Sequence, residues 1–395
     1  MVDEIKSMLE KDVWELVERP EGRNVVDCRM VLTNKYGQDE TINRRKARLV
    51  ARGFSQRPGM DYNETFAPVA CLSSIRFAAA LADHYGMNIH QIDIITAYLN
   101  GLLNEEVYME MPRNIQTLLR KIADSEDSSS RTRVAARKML VQAKSGNKVC
   151  KLKKAIYGLK QAGRQWHAKL DKELKLLGLS PSNFDPCVYY CNRGEELLLA
   201  VVYVDDILIL CRDLKKIEHI KNGLTKVFLS VKDLGNLKYC LGIEFLLGKE
   251  KVKLSQKGYV QKLLERFNMV DANSVKTPLE PGMALVKENS GTQSKQYPYR
   301  ELVGSLMYLA VVSRPDIRYA VSYLSQFNNC YGKAHWEAAK RVLRYLKGTN
   351  DYCLVYQSGN GSLTGYADAD WGGCVIDRRS FTGYVLYFCG GPIIW

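Results

Sequence analysis

The residues whose type and spacing most suggest chemistry are two adjacent carboxylates, Asp205 and Asp206, set between apolar runs in LLLAVVYVDDILIL (197–210). Val201, Val202, Val204, Ile207 and Ile209 favour extended structure. Each run has strand length, and the acids fall where a tight turn belongs. The segment reads as a buried β-hairpin with two acids at its tip. Asp-Asp is also a good turn pair in a solvated loop. Two features argue for more than a turn. The flanks are too apolar for a surface hairpin, and a third carboxylate, Asp93, is embedded in NIHQIDIITAYL (88–99). A lone buried Asp must be paired or bound to a metal. The plain alternative is a salt-bridged or turn-facing Asp.

One strand acid and two hairpin acids suit two divalent cations about 3.5–4 Å apart. Magnesium keeps several waters and accepts substrate phosphate oxygens. A hydroxyl activated in this way needs no His, and none of the five His residues neighbours Asp205-Asp206 in sequence. A glycosidase also uses two carboxylates, but neither adjacent Asp is an obvious proton donor. The spaced acids of a calcium loop are absent. The 11 cysteines include no CxxC pair, which argues against a zinc site. The net charge of +14 points to a polyanionic partner, most simply nucleic acid, although basic soluble proteins are common. No run approaches the about 18–20 apolar residues of a membrane span, and the acidic, amphipathic start is not a secretory signal.

The elements that must position these acids follow in order. Residues 1–19 read as a short helix stopped at Pro20-Glu21-Gly22. Val25 to Leu32, a turn at 34–37 and a return over Thr41 to Phe54 read as a hairpin. Its second arm carries Arg44, Arg45, Lys46, Arg48, Arg52 and Arg57 with no acid among them. Such a run is either a solvated face or a phosphate-holding one. A helix is expected over 74–85, capped by Ser73, followed by the Asp93 strand. The acidic tract 100–112 reads as a loop into a short strand, VYMEM. Residues 113–148, with a Ser cluster between two basic, partly helical arms, read as an inserted mobile segment. A basic, Gly-rich turn over 151–165 leads to a helix over 166–177 and then to the central hairpin. A basic helix over 214–228, strand-like 233–247 and a helix over 259–267 follow. Residues 300–347 read as helix broken at Ser313-Arg314-Pro315, and short strands follow from Asn350. The whole reads as α+β, in two to four subdomains.

Residues Trp14 to Thr349 resemble the reverse transcriptase region of copia-type retrotransposon polyproteins. The matching stretches are WELV from Trp14, KARLVARGF from Lys46, Asp61-Tyr62, TFAPV from Thr65 and HQIDIITAYLNG from His90. LKKAIYGLKQA from Leu152, YVDD from Tyr203, LGIEF from Leu241, RPDIRYAV from Arg314 and HWEAAKRVLRYLKGT from His335 complete them. Each is weak alone, whereas their number and order are specific. The resemblance implies a right-hand polymerase of fingers, palm and thumb with an antiparallel palm sheet. It implies that Asp93, Asp205 and Asp206 are the catalytic, metal-binding aspartates, with the Ile94 carbonyl beside them. Two Mg²⁺ ions, with Mn²⁺ as the alternative, would be the cofactors. Lys46 and Arg48 match residues that hold the triphosphate. Tyr98 matches the ring that excludes a ribose 2′-hydroxyl, its plain alternative being a core aromatic. Gly158, Lys160 and Gln161 match a nucleotide- and template-contacting turn, and Leu241-Gly242 the primer grip.

The implied reaction is attack of a primer 3′-hydroxyl on the α-phosphate of a deoxynucleoside triphosphate, releasing pyrophosphate. An RNA template, a DNA primer–template duplex and other element-encoded proteins are the implied partners, with no membrane. The implied location is the cytoplasm, within a virus-like particle, or the nucleus. From Gly365, GYADADWGG resembles the start of a ribonuclease H domain, with Asp368 at its first catalytic acid. The later acids do not follow, so no ribonuclease H activity and a poorly stabilised tail are expected. The expected units are fingers and palm over 1–230, primer grip and thumb over 231–285, a helical connection over 286–349 and the tail over 350–395. The 113–148 insertion is longer and more polar than the family pattern. The chain reads as a fragment of a polyprotein or as a decayed copy. In the second case it would be a catalytically silent nucleic-acid-binding remnant, although the acid set is complete. A two-metal nuclease on the same acids is a third reading.

Overall fold

The computed structural model describes residues 1–36, 41–144, 146–192, 196–248, 251–288, 297–357, 361–373 and 378–395. Helix α1 (Val2–Glu10) ends at Lys11-Asp12, where Asp12 takes a positive φ of 50°. Strand β1 (Trp14–Glu18) follows, so the helix expected over 1–19 covers only its first half. Trp14 and Leu16 are buried while Glu15 is exposed, a period-2 pattern that suits a strand. Strand β2 (Val25–Val26) precedes the long hairpin β3 (Cys28–Tyr36) and β4 (Ile42–Ala51); of the turn expected at 34–37, Asn34, Lys35 and Tyr36 still belong to β3 and Gly37 lies outside the described residues. Helix α2 (Leu72–His84) is capped at Cys71 rather than Ser73. Strand β5 (Asn88–Ile94) carries Asp93, and β6 (Leu102–Met109) follows a single 3-10 turn.

Helices α3 (Ile115–Asp124) and α4 (Ser130–Gln142) occupy the segment expected to be mobile and partly helical. Ile115, Leu118, Leu119 and Ile122 recur at helical spacing on the buried side of α3. Ala136, Met139 and Ala143 line up behind them against Ile5 and Met8 of α1. The serine cluster serves as a helix start, the Ser129 hydroxyl accepting the Thr132 N–H at 3.1 Å.

Strand β7 (Lys148–Lys154), helix α5 (Ala162–Leu176), β8 (Ser180–Pro181) and β9 (Val188–Asn192) lead to β10 (Leu197–Tyr203) and β11 (Asp206–Cys211), the central hairpin. Beyond it run α6 (Leu214–Val227), β12 (Val231–Asn236), β13 (Tyr239–Cys240), β14 (Ile243–Leu247), β15 (Lys251–Ser255) and α7 (Lys257–Arg266). Helices α8 (Tyr299–Val312), α9 (Arg318–Ser325) and α10 (Lys333–Gly348) precede β16 (Leu354–Gln357), β17 (Thr364–Ala369), β18 (Thr382–Phe388) and β19 (Gly391–Ile394).

The architecture is mixed α+β. A six-stranded antiparallel sheet runs in the order β12-β5-β11-β10-β9-β8. Every residue from Ile207 to Cys211 is buried, so the middle of this sheet is covered on both faces. A second core joins α1, α3 and α4 to the sheet β1-β7-β6-β2, and a third lies among α7, α8, α9 and α10.

The expected unit boundaries fall between elements, and packing crosses each of them. Strand β12, placed beyond the 230 boundary, hydrogen-bonds to β5 in the central sheet. Val260, Leu263 and Leu264 of α7 share a core with Leu302, Leu306 and Val342, across the 285 boundary. Strand β16 completes the sheet β13-β14-β15 across the 349 boundary.

The tail also departs from expectation. All six residues of β17 are exposed, yet Cys389 and Ile393 are buried in the central core. The Arg76 guanidinium donates to the carbonyls of Ile393 (2.8 Å) and Val311 (2.7 Å). The Trp395 ring lies 3.9 Å from that guanidinium, and its Nε1 donates to the Ala310 carbonyl at 2.7 Å. Contacts with partners far away in sequence hold one edge of this sheet while the other stays in solvent.

Candidate active site

Tyr203 pairs with Asp206, so the hairpin turn is Val204-Asp205 and Asp206 already opens β11. Val204 has φ +57°, an unfavourable conformation for a β-branched residue at a position where glycine is usual. The strain is held from outside: buried Trp166 on α5 donates its Nε1–H to the Val204 carbonyl at 2.7 Å. The Ile94 N–H donates to the Asp205 carbonyl at 2.9 Å, tying the end of β5 to the turn.

Asp206 lies directly opposite Asp93 in the β11–β5 ladder. Opposed residues of an antiparallel pair share a face, with Cα atoms about 4.5–5.5 Å apart. Two carboxylates more than a hundred residues apart in sequence thus become neighbours, with Asp205 beside them on the exposed turn. Gln91, two residues before Asp93 and so on the same face, donates its Nε2–H to Asp206 Oδ1 at 2.8 Å. Burial pushes the Asp206 carboxyl above its usual range, and the charges of Asp205 and Asp93 push the same way, against the Gln91 hydrogen bond. Among the described residues no three His, Cys, Asp or Glu side chains are gathered closely enough to hold a metal unaided. The donor set is all oxygen and partly desolvated, with Lys232 opposite Asp93 in the β12–β5 ladder, and oxygen donors of this kind fit a hard divalent cation.

The residues around the acids form two supports. Tyr98 lies between the first and second cores, its ring edge-on to Tyr157 at 5.3 Å. Burial, and then the Asp205 charge, raise the Tyr98 hydroxyl pKa. The Arg48 guanidinium stands 5.2 Å from the Tyr157 ring, so an Arg48–Tyr157–Tyr98 stack runs from the β3–β4 hairpin toward Asp205. Lys46 is one strand period away on β4 and, like Arg48, within the electrostatic reach of buried Glu4, whose Oε1 accepts the Leu49 N–H.

Glycine makes the stack possible. The Ala51 N–H donates to the Tyr157 carbonyl at 2.8 Å, and a Cβ on Gly158, at φ +90°, would lie 2.1 Å from the Ala51 carbonyl oxygen.

Lys160 is exposed, with Nζ 3.0 Å from the Tyr62 hydroxyl. Gln161 follows Lys160 in the same turn. It is fully buried, accepting from Gln56 Nε2 at 3.0 Å and donating to the Asp61 carbonyl at 2.9 Å. Its amide is used inside the protein, where it braces the turn.

Leu241 and Gly242 form the two-residue turn between β13 and β14, both with positive φ, as a type I′ turn requires. The Tyr308 hydroxyl of α8 donates to the Leu241 carbonyl at 2.6 Å. Cys240 beside this turn has its thiol pushed up to about 12 by burial and then by the Asp206 charge, which places the turn near the acids. Asp368 lies elsewhere, on exposed β17 opposite Gly383. A cavity of about 840 Å³ opens beside Asn88 and Ile89, at the other end of β5 from Asp93.

Gln91, Tyr157 and Trp166 were not singled out from sequence. Period-2 spacing from Asp93 could have flagged Gln91, and its place beside Gly158 could have flagged Tyr157. No local pattern connects Trp166 to the hairpin.

The chain belongs to the family described as "Reverse transcriptase (RNA-dependent DNA polymerase)", whose model matches residues 11–123 and 139–281. Its relatives are copia-type Pol polyproteins. It is 39% identical over its whole length to the "Retrovirus-related Pol polyprotein from transposon TNT 1-94" of Nicotiana tabacum, of which it covers 28%. It is equally 39% identical to that from transposon RE1 of Arabidopsis thaliana, covering 25%. The "Transposon Ty1-ER2 Gag-Pol polyprotein" of Saccharomyces cerevisiae is 24% identical over 99% of this chain and 22% of its own length. The chain therefore spans about a quarter of the length of these relatives. A solved foamy viral protease-reverse transcriptase in complex with dsDNA overlaps loosely, at TM-score 0.42 and 12% identity, over 98% of this chain and 63% of that one. Among the described residues no helix is long and apolar enough to cross a membrane.

Proposed function

We propose that the chain is an RNA-directed DNA polymerase unit that extends a primer 3′-hydroxyl with deoxynucleoside triphosphates. The observation that carries this reading is the pairing of Asp206 with Asp93 across β11–β5, with Asp205 adjoining on the turn. Asp93, Asp205 and Asp206, with the Ile94 carbonyl beside them, hold two Mg²⁺ or Mn²⁺ ions. When bound, such ions acidify the attacking hydroxyl and neutralise charge on the reacting phosphate. Gln91 fixes the Asp206 carboxylate through the bond to Oδ1. Tyr98 narrows the space beside Asp205 and so selects against a ribose 2′-hydroxyl. Lys46, Arg48 and exposed Lys160 supply positive charge to the triphosphate, and Gly158 sets the turn that places Tyr157 beneath Arg48. The Leu241-Gly242 turn, held by Tyr308, supports the primer end. In this reading the central sheet is the palm, the β3–β4 hairpin belongs to the fingers, and template RNA and primer–template duplex are the macromolecular partners. Catalysis then rests on positioning and charge stabilisation.

Primer extension on an RNA template with Mg²⁺ tests this. Extension by the wild type, abolished by chelation and by Asp205→Asn, is expected. Failure of the wild type to extend, or an Asp205→Asn variant as active as wild type, overturns it. Shortened strands in place of extended ones would mark a nuclease.

A further inference from the structure

We propose that the cavity between α1, α4 and Leu229-Ser230 is a binding site for a phosphate-class oxyanion. The cavity holds about 250 Å³ and is lined by Lys11, Ser129, Arg131, Thr132 and Ser230, with Glu10 also on its wall. Lys11 carries the argument. It is only 4% exposed, and its Nζ atom has no hydrogen-bond partner. A buried ammonium without acceptors is expensive and is normally paired. Its surroundings add positive charge: Lys154 Nζ donates to the Lys11 carbonyl at 2.6 Å, bringing a second ammonium close. Burial, and then the Lys154 charge, depress the Lys11 pKa, while Glu10 opposes them.

The opposite wall is the start of the 13-residue α4. Ser129 caps it, Arg131 is its second residue, and the positive end of its peptide dipoles faces this region. Ammonium, guanidinium, a helix start and the remaining proton of the Ser129–Thr132 hydroxyl pair, whose members bond each other at 2.7 Å, make a set of donors for a compact, multiply charged anion. The volume lies below the roughly 300–1,000 Å³ of sites for larger organic ligands, which favours one or two phosphoryl groups.

The site is independent of the polymerase reading. The family model leaves out 124–138, which includes Ser129, Arg131 and Thr132, so one wall is built from residues outside the family pattern. Its Ser230 wall is tied to the chain just past β5, the Ser230 carbonyl accepting the Ile95 N–H at 2.9 Å. The anion's source could be a free phosphate or pyrophosphate, or a nucleic-acid backbone phosphate.

Titration of the full chain at matched ionic strength in chloride, with inorganic phosphate, pyrophosphate and a single-stranded oligonucleotide, separates these sources. Arg131→Gln and Lys11→Met are compared with wild type. Loss of one charged donor should weaken binding about tenfold or more. For a free anion, the variants lose phosphate and pyrophosphate binding and keep oligonucleotide affinity. For a backbone phosphate, oligonucleotide affinity falls and its salt slope drops by about one. Arg131 is exposed, so Arg131→Gln decides alone should Lys11→Met not fold. Unchanged binding of all three probes in Arg131→Gln, or wild type binding none of them, overturns the proposal.

Discussion

The central sheet and the C-terminal sheet both carry carboxylates on strands, but their surroundings differ. Asp206 stands at the mouth of a strand buried from Ile207 onward, faces Asp93, and is held by the amide of Gln91. Asp368 stands on a strand exposed at all six positions, opposite a glycine. An acid in water is a solvated charge. An acid partly withdrawn from water, beside two others, is a charge the fold has not compensated. The contrast locates the chemistry in the environment and not in the residue type.

The comparison breaks most visibly in activity. Asp206→Asn should lower primer extension on the order of a thousandfold or more, the scale found when a member of a cooperating catalytic unit is removed. Asp368→Asn should leave extension unchanged, and equal losses in the two variants would end the contrast.

Backbone substitutions come next. Gly158→Ala should cost about 2–4 kcal/mol in denaturant unfolding, from the clash with the Ala51 carbonyl and the positive φ. Gly383→Ala meets nothing within 4 Å and should stay within about 0.5 kcal/mol.

Trp395→Ala should cost about 1–2 kcal/mol, because the Arg76 stack and the bond to the Ala310 carbonyl are lost. Tyr366→Ser on the exposed strand should shift the melting temperature little.

The smallest effect is in pH. A carboxyl whose folded pKa is raised contributes stability below its unfolded pKa, and that contribution is lost as pH rises through the folded value. At neutral pH Asp206→Asn should therefore melt at or above wild type. The gap should close as pH falls through the raised value. A variant less stable than wild type at pH 7 would contradict the uncompensated charge.

Much of this was legible because the signals were local. Apolar flanks around Asp205-Asp206 announced a buried hairpin, and isoleucines around Asp93 announced a strand. The basic run from Arg44 to Arg52 marked one arm of the long hairpin. Other parts were misread where local composition and tertiary packing disagree. The Ser cluster within 113–148 read as part of an inserted segment, and Ser129 caps a helix that packs against α1, more than a hundred residues away. Gln161 was placed by the family match in a nucleotide-contacting turn, and no local pattern showed that its amide bonds Gln56 and Asp61. The WELV segment reads as a continuation of the first helix until its partner β7 is known.

By itself the sequence determined which residues could carry charge, which runs must be buried and which family the chain joins, since these depend on residue type and spacing along the chain. Only the tertiary structure decided the register that sets Asp93 against Asp206, the Trp166 bond that holds Val204 in its strained turn, and the unpartnered Lys11 beneath α4. Each of these depends on how distant segments meet in space, and no local pattern encodes that meeting.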